Sequence, residues 1–322
     1  MYAATATSID PEDPLSGLSL GEVADPEPPP GWVRVAVKAA SLNHHDLWTL
    51  RGVGITIDRL PMVLGCDAAG VTEDGAEVVV HAVIGDKDAG RGDETLDPHR
   101  SLLSEVHPGT FADFVWVPAA NVIPKPVELS FVEAACLPTA WLTAYRMLMT
   151  KSRLRMGDTV LVQGAGGGVA TAAIQLADVL GFRVWATSRS EQKRARALQL
   201  GAHEVFETGA RLPERVDAVI ETVGAATWSH SLKALRPGGV VVVSGATSGS
   251  NPPADLSRVY FLQLSVIGST MGTREELAAL LELCVDTGLR PTIDAQWDLH
   301  DARTAFERLA AGDVVGKLVL TN

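Results

Sequence analysis

The chain has 322 residues, of which 46% are hydrophobic and 20% are charged. This composition is typical of a globular protein, and at about 150 residues per domain the length suggests two domains. Its 39 acidic and 27 basic residues leave a net charge of −12, which repels nucleic-acid phosphates and anionic lipids and so disfavours both as partners.

The N-terminal sequence and the cysteines bear on location. The first residues, MYAATATSID, contain neither the basic n-region nor the apolar h-region of a secretory signal, and no uncharged apolar run reaches about 18 residues. We therefore expect a cytoplasmic protein without membrane contact. Cys66, Cys136 and Cys284 are far apart and form no CxxC, so they predict buried free thiols rather than disulfides or a cysteine-rich zinc lobe.

Roughly the first 120 residues are predicted to be β-rich and irregular. The segments GWVRVAVKAAS and TFADFVWVP alternate apolar and polar residues, AEVVVHAV is a short apolar run, and helical periodicity is scarce. The tract ADPEPPPG predicts a surface turn, and GDKDAGRGDETLDPHRS, residues 85–101, predicts a polar, mobile loop.

Two adjacent histidines in SLNHHDLWTLRG raise the question of a metal site, because imidazole and carboxylate are ordinary zinc ligands. Neighbouring side chains point to opposite faces of a strand or diverge by about 100° on a helix. His44 and His45 therefore cannot both face one ion without a distorted backbone. The pattern favours one buried and one solvated histidine.

From about residue 125 the pattern becomes an alternation of strands and helices. TVLVQGAG and VVVVSGA predict strands, VATAAIQLADVLG predicts a helix ending at Gly181, and SHSLKALRPGG predicts another helix. Apolar runs such as Val240 to Val243 are typical of strands buried on both faces, which indicates a doubly wound parallel sheet covered by helices. Two amphipathic helices and a closing strand, GKLVLTN, follow.

The strongest local motif is VLVQGAGGGVATAAIQLA. A strand leads into a glycine-rich turn, and a helix opens near Val169, so its free N–H groups and positive dipole end can hold a pyrophosphate. The loop fits Ala165-x-Gly167-x-x-Ala170, an imperfect fingerprint in the required strand–turn–helix setting. The alternative is a turn that only packs the helix on the strand. The predicted cofactor-binding residues here are Gly164, Ala165, Gly166, Gly167, Gly168 and Val169.

The end of the second strand favours NADPH over NADH. NAD binding calls for an acidic residue there, about 20 residues beyond the turn. The segment TSRS, residues 187–190, contains no carboxylate, whereas Ser188, Arg189 and Lys193 offer a hydroxyl and positive charge. A guanidinium matches a 2′-phosphate, which an aspartate would repel. Alternatively, Arg189 is solvated at the start of a surface helix.

Several strings taken together resemble the medium-chain dehydrogenase/reductase superfamily, and its zinc-free quinone oxidoreductase-like branch in particular. They are AASLNHHDLWTLRG, PMVLGCDAAGVT, GTFADFVWVP, LPTAWLTAYRML, GAGGGVATAAIQLA and LRPGGVVVVSGATSG, in order over nearly the whole chain. The resemblance implies an α/β protein with a GroES-like β-rich catalytic domain, residues 1–124 and 271–322, and a Rossmann domain, residues 125–270.

The resemblance also implies a metal-free enzyme. The three positions that hold the catalytic zinc in zinc-dependent members fall on Asn43, Cys66 and Thr139, and only the cysteine is a good ligand. The place of the four-cysteine lobe is taken by a cysteine-free segment, residues 85–107.

An unorthodox metal site remains the alternative. It would use His44 or His45 with Cys66 and Asp67, and its ligand geometry would have to be rebuilt.

Without a metal, the expected chemistry is hydride transfer from NADPH to a ready acceptor, a quinone or an α,β-unsaturated carbonyl. By resemblance, Asn43 lies beside the nicotinamide and substrate, although it could instead cap a turn. Trp48 and Trp141 either line the substrate pocket or belong to the core. The candidate catalytic residues are Asn43, Asp46 and Thr139.

The later strands of the parallel sheet end in turns at the edge where such sheets bind ligands. We expect these turns to contact the nicotinamide half of the cofactor, while Lys317 either reaches the nucleotide or is solvated. Relatives commonly form homodimers through the last strand of this domain, here residues 264–268. The further cofactor-binding candidates are Val223, Gly245, Ala246, Thr247, Ser269, Thr270 and Lys317.

Three other functions stay open at this point. The first is a zinc-type alcohol dehydrogenase with an unorthodox site, and the second is a reductase of enoyl thioesters. The third is a protein that binds NADPH without turnover, since the cofactor half of the sequence is clearer than the substrate half.

Overall fold

The computed structural model describes residues 1–322 and contains both predicted kinds of sheet. The strands are β1 (Tyr2–Ala6), β2 (Leu18–Glu22), β3 (Trp32–Ser41), β4 (Met62–Val63), β5 (Asp67–Thr72), β6 (Glu77–Val80), β7 (Val83–Ile84), β8 (Ser101–Leu102), β9 (Phe114–Pro118), β10 (Val122–Pro124), β11 (Thr159–Val162), β12 (Arg183–Thr187), β13 (Glu204–Phe206), β14 (Val216–Glu221), β15 (Leu235–Val243), β16 (Ser265–Gly268), β17 (Ile293–Asp298) and β18 (Lys317–Thr321).

The α-helices lie between these strands, and wide π-helical turns at Leu137–Trp141 and Met147–Lys151 flank the third of them. None of the helices has the length and apolar character that crossing a bilayer requires. The α-helices are α1 (His44–Leu50), α2 (Phe131–Ala134), α3 (Leu142–Arg146), α4 (Gly168–Val179), α5 (Glu191–Gln199), α6 (Ala225–Ala234), α7 (Leu256–Phe261), α8 (Arg274–Thr287) and α9 (Ala302–Ala311).

The chain divides into two compact units. Unit 1 combines Met1–Leu142 with Met271–Asn322, and unit 2 is Thr143–Thr270. The first division therefore lies later than the residue 124 expected from sequence, because α2 packs against β3 and β5 and so joins unit 1.

Unit 1 is the β-rich unit. Its largest sheet has the order β10-β6-β5-β3-β18-β17, and β9 also pairs with β3. The alternation predicted for β3 holds, since Val35 and Val37 are buried while Lys38 is exposed. A three-stranded sheet, β2-β1-β4, completes the apolar core of this unit, to which α1 and α9 contribute.

Unit 2 is the predicted doubly wound domain. Its six strands are all parallel, in the order β13-β12-β11-β14-β15-β16, and Val240 to Val242 are buried. This is the strand order of a dinucleotide-binding sheet. The helix predicted at SHSLKALRPGG is displaced: α6 starts at Ala225, and β15 already begins at Leu235, because Pro237 cannot continue a helix.

Two further expectations can be compared with the structure. All three cysteines are buried and free, as predicted. The segment 85–101, expected to be a polar, mobile loop, is largely exposed but attached at several points: β7 and β8 pair at its ends, and Glu94 within it is fully buried. The Glu94 carboxylate accepts a bond of 2.7 Å from the Arg274 backbone N–H, which attaches the segment to α8.

Candidate functional site

The glycine-rich turn of unit 2 joins β11 to α4. Gly164 has φ +76°, in the left-handed region that favours glycine. Ala165 N–H donates to Thr187 O at 2.8 Å, which ties the turn to the end of β12. Thr171 N–H makes the first bond into the helix, to Gly167 O. The N–H groups of residues 168–170 are therefore left for an anion at the helix N-terminus.

The surroundings of the glycines show where the turn is tight and where it is open. A Cβ on Gly164 would lie 2.6 Å from Val223 Cγ2, and one on Gly166 would lie 2.8 Å from Lys193 Cδ. A Cβ on Gly167 would meet nothing within 4 Å. The Lys193 side chain thus crosses the turn, and the space in front of Gly167 is open.

The end of β12 carries no carboxylate. Ser188 is buried, and Arg189 is exposed without an ion pair. Arg194 donates to Ser188 O at 2.7 Å and to Arg189 O at 3.3 Å, so it shapes the backbone of this segment. The exposed charge of Arg189 therefore lies at the place where a 2′-phosphate is expected, and the Lys193 side chain lies beside the glycine turn.

A buried carboxylate, which sequence reasoning did not identify as functional, organises the next strand end. Glu221 Oε1 accepts from the N–H groups of Val223 at 2.8 Å and Gly224 at 3.0 Å, and Oε2 accepts from Ser231 Oγ at 2.6 Å. Thr227 Oγ1 lies 2.9 Å from both oxygens. Glu221 thus fixes the turn that holds Val223. Its only sequence signal is its position at the end of a strand.

The remaining predicted residues of this edge lie in turns directly after β15 and β16. Ser248 N–H donates to Val223 O at 2.7 Å, which joins the turn containing Gly245, Ala246 and Thr247 to the Glu221 turn. Ser269 N–H donates to Val243 O at 2.8 Å.

A second polar cluster lies in unit 1, around the N-terminus of α1. Asp67 Oδ2 accepts from Ser41 Oγ at 2.7 Å, from Asn43 Nδ2 at 2.9 Å and from Lys317 Nζ at 3.2 Å. Lys317 Nζ also donates to Asn43 Oδ1 at 2.6 Å and Leu42 O at 2.7 Å. All five of these residues are buried.

The contacts in this cluster correct the expectation for Lys317 and leave Asn43 with a positioning role. An ammonium has three donors, and Lys317 uses all three within unit 1, so Lys317 is neither solvated nor left with a donor for a nucleotide. Asn43 Nδ2 donates to Asp67 and to Ser41 O, the latter at 3.3 Å. Both amide N–H groups are therefore engaged, and in this conformation Asn43 orients its neighbours rather than offering a free donor.

Asp46 caps α1 from inside the helix. Its Oδ2 accepts from the Asn43 backbone N–H at 2.7 Å, while its Oδ1 is buried without a hydrogen-bond partner. Burial raises the pKa of the Asp46 carboxyl to about 6.

The two adjacent histidines diverge, as their spacing predicts. His44 is exposed, whereas the His45 side chain is only 14% exposed. His45 Nδ1 lies 3.3 Å from Cys66 Sγ, and Nε2 lies 2.9 Å from Glu105 Oε1. Burial alone would lower the pKa of His45, but the sulfur and the carboxylate outweigh it, so the His45 pKa is raised well above its usual value. Nothing in the local sequence around Glu105 signals this contact.

The other candidates of unit 1 occupy different environments. Thr139 lies in the π-helical turn Leu137–Trp141, and its Oγ1 is buried without a hydrogen-bond partner. Trp141 has no exposed surface, which places it in the core rather than on a pocket wall, while Trp48 is half-buried.

Comparisons with known proteins agree with this architecture. The family model described as an alcohol dehydrogenase GroES-like domain matches residues 29–127, and one described as a zinc-binding dehydrogenase matches residues 168–286. The acryloyl-coenzyme A reductase of Metallosphaera sedula is 30% identical over 95% of this chain and 96% of its own length. The quinone oxidoreductase of Mus musculus is 30% identical over 93% and 92%.

Two solved structures extend the comparison. One described as an NAD-dependent alcohol dehydrogenase has a TM-score of 0.91 and 36% identity, covering 100% of both chains. The 2-octenoyl-CoA carboxylase reductase CinF, in complex with NADP and 2-octenoyl-CoA, has a TM-score of 0.89 and 26% identity, covering 99% of this chain and 87% of that one.

The zinc ion that one of these descriptions implies does not fit the residues at its usual ligand positions. Of Asn43, Cys66 and Thr139, only Cys66 is a strong zinc ligand. Asn43 Oδ1 already accepts from the buried Lys317 ammonium at 2.6 Å, and a second cation bound to that oxygen would be repelled. We derive no catalytic step through such an ion.

Proposed function

The chain belongs to the medium-chain dehydrogenase/reductase superfamily, and on that premise we propose that it is an NADPH-dependent reductase that acts on quinones or α,β-unsaturated carbonyls without a catalytic metal. That it is an oxidoreductase follows from its relatives, which include quinone oxidoreductases and acryloyl-coenzyme A reductases. The choice of cofactor and substrate is our proposal, and it rests on the residues of this chain.

The observation that carries the cofactor assignment is the end of β12, where Arg189 and Lys193 stand in place of a carboxylate. Arg189 is exposed and unpaired, so its guanidinium is available to a 2′-phosphate as a bidentate donor. Lys193 crosses the glycine turn and adds a second positive charge close to the open helix N-terminus. NADH would offer no 2′-phosphate to the Arg189 guanidinium.

The substrate assignment follows from the hydrogen-bond donors that unit 1 leaves for a substrate. NADPH, when bound, supplies the hydride. Of the predicted catalytic residues, Thr139 has a buried hydroxyl without a partner, which makes it the donor we assign to a substrate carbonyl oxygen. Asn43 and Asp46 hold the start of α1 in place. A single neutral donor suits acceptors that take hydride readily, such as quinones and enones, better than an alcohol that must lose a proton.

The test measures NADPH oxidation by chelator-treated protein across a panel of quinones, enals and acryloyl-coenzyme A. We expect turnover with at least one quinone or enone. Binding titrations should show Arg189→Asp weakening NADPH about 10- to 100-fold, the loss of a charge-assisted contact, with little effect on NADH. Arg196→Asp, an equal charge change at an exposed site on α5, is the matched control. Equal losses for both cofactors would refute the assignment of Arg189.

A reductase of enoyl thioesters is the second candidate. It is favoured by the acryloyl-coenzyme A reductase relative and by the structure of CinF with 2-octenoyl-CoA. Turnover of acryloyl-coenzyme A with no activity on free quinones or enals would replace our substrate class with this one. Tight NADPH binding without turnover of any panel member would favour a binding protein.

We also propose a homodimer formed along β16, in the cytoplasm. This strand pairs only with β15, and Val266 on it is 50% exposed. An open edge strand with an exposed apolar residue is suited to pairing with a second copy. Light scattering should give twice the chain mass, and Val266→Lys should shift it toward the monomer.

A further inference from the structure

The cluster of His45, Cys66 and Glu105 is used neither by the proposed hydride transfer nor by the Asp67–Lys317 network. Its three side chains come from α1, from the residue before β5 and from the segment after β8. The Cys66 sulfur, the His45 imidazole and the Asp46 carboxylate each place one ligand atom within 4.8 Å of the others. These three types of ligand are those of transition-metal sites in proteins.

We propose that His45 Nδ1, Cys66 Sγ and an oxygen of Asp46 form a binding site for a thiophilic divalent cation of the Zn²⁺ class. This inference goes beyond the proposed function, which needs no metal. The site shares only Cys66 with the zinc positions of the family, and His45 and Asp46 replace the misfitting Asn43 and Thr139.

The separation of the ligand atoms supports this site. Zinc binds sulfur at about 2.3 Å and imidazole nitrogen at about 2.0 Å, so in a tetrahedral site these two atoms are about 3.5 Å apart. Cys66 Sγ and His45 Nδ1 are 3.3 Å apart. Binding would require only a small shift of these two side chains.

The neighbouring carboxylates supply the rest of the site. Asp46 Oδ1 is buried without a partner, so a charged oxygen is free to turn toward the ion. Metal-bound histidines usually donate their other N–H to a carboxylate, which fixes the ring, and Glu105 receives His45 Nε2 at 2.9 Å in this way.

Charge and access are also compatible with a cation. A divalent ion would displace the Cys66 thiol proton, which now points to Leu103 O at 3.2 Å, and one imidazole proton. Two positive charges would then be balanced by the thiolate and the Asp46 carboxylate. Cys66 is buried, but the side chains of His45 and Glu105 are 14% and 21% exposed, so the cluster reaches the protein surface on the side of these two residues.

Cobalt is the probe, because a Co²⁺–thiolate bond absorbs light and reports the sulfur directly. Chelator-treated full-length protein is titrated with Co²⁺ and then with Zn²⁺ in competition. We expect one equivalent of Co²⁺ to bind, with a thiolate-to-cobalt charge-transfer band that is absent in Cys66→Ser. His45→Ala should lower the affinity for Co²⁺ at least 100-fold. Glu105→Gln, which leaves His45 Nε2 a hydrogen-bond partner of similar size, should lower the affinity for Co²⁺ about 10- to 100-fold.

His44→Ala is the matched control, since it removes the adjacent histidine outside the cluster, and it should bind cobalt as the unmodified chain does. The proposal is overturned by the absence of the band at saturating cobalt, by a band that persists in Cys66→Ser, or by equal effects of the two histidine variants. Glu105→Gln keeps the test decisive if Cys66→Ser misfolds. NADPH oxidation measured on the same metal-free samples tests the proposed function separately.

Discussion

The buried ammonium of Lys317 is expected to be a main support of unit 1, and Lys317→Met tests this. Methionine fills most of the volume of the lysine stem but removes the charge and the three bonds to Leu42 O, Asn43 Oδ1 and Asp67 Oδ2. Removing one partner of a buried ion pair costs about 3–5 kcal/mol, because the other charge remains buried.

The contacts that Asp67 keeps in Lys317→Met determine where in this range the loss of stability falls. Asp67 Oδ2 keeps its bonds from Ser41 Oγ and Asn43 Nδ2, so we expect the lower end, about 3 kcal/mol. For a unit of roughly 200 residues this corresponds to a fall in melting temperature of about 6–12 °C.

The assay is urea and thermal unfolding followed by circular dichroism. Asp67→Asn combined with Lys317→Met should be less destabilising than the sum of the single changes, with a coupling of about 0.5–3 kcal/mol. Lys233→Met, an exposed lysine on α6, should stay within about 0.5 kcal/mol. A loss below about 1 kcal/mol for Lys317→Met, or strict additivity, would refute the reasoning.

Three further predictions concern the cofactor turn and the buried polar groups. Gly167→Ala should leave the melting temperature unchanged, because its Cβ meets nothing in the free protein. In a fluorescence titration it should nevertheless weaken NADPH binding at least 10-fold. Gly164→Ala should lower both the melting temperature and the affinity for NADPH, since its Cβ would lie 2.6 Å from Val223 Cγ2. Burial lowers the pKa of His81, so the unfolded chain takes up a proton before the folded one as the pH falls below about 6.5. The free energy of unfolding therefore decreases below that pH. In urea titrations from pH 7 to 5, His81→Gln should show a smaller decrease than the unmodified chain. Glu221→Gln should cost about 1.5–3 kcal/mol of stability and raise the KM for NADPH more than it lowers kcat, because an amide cannot accept all the bonds that the carboxylate receives; an unchanged KM would contradict its role in shaping the turn.

Structural features that depend on a short, continuous stretch of sequence were predictable. The strand, glycine turn and helix around Gly164 follow from local patterns, and the parallel sheet follows from its apolar runs. The divergence of His44 and His45 follows from helix geometry alone. At α6 the prediction of the helix position was wrong: the helix starts at Ala225, where Glu221 binds Thr227 in its first turn, and it ends before Pro237.

The polar clusters of unit 1 were less predictable, since each joins distant segments. Glu105 lies 60 residues from His45, and Lys317 lies 250 residues from Asp67. Sequence spacing says nothing about such pairings, and a lysine near the end of a strand is usually solvated. Only the pairing of β18 with β3 brings Lys317 to the start of α1.

That pairing also constrains when unit 1 can form during protein synthesis. Strand β3 is synthesised well before its neighbour β18, Lys317–Thr321, because the whole of unit 2 lies between them in the chain. Unit 2 is one continuous segment and can fold as soon as it has emerged. The nascent chain must therefore keep residues 39–41 of β3 without this partner until β18 has been made. A truncation before Lys317 would remove both this strand and the ammonium that neutralises Asp67.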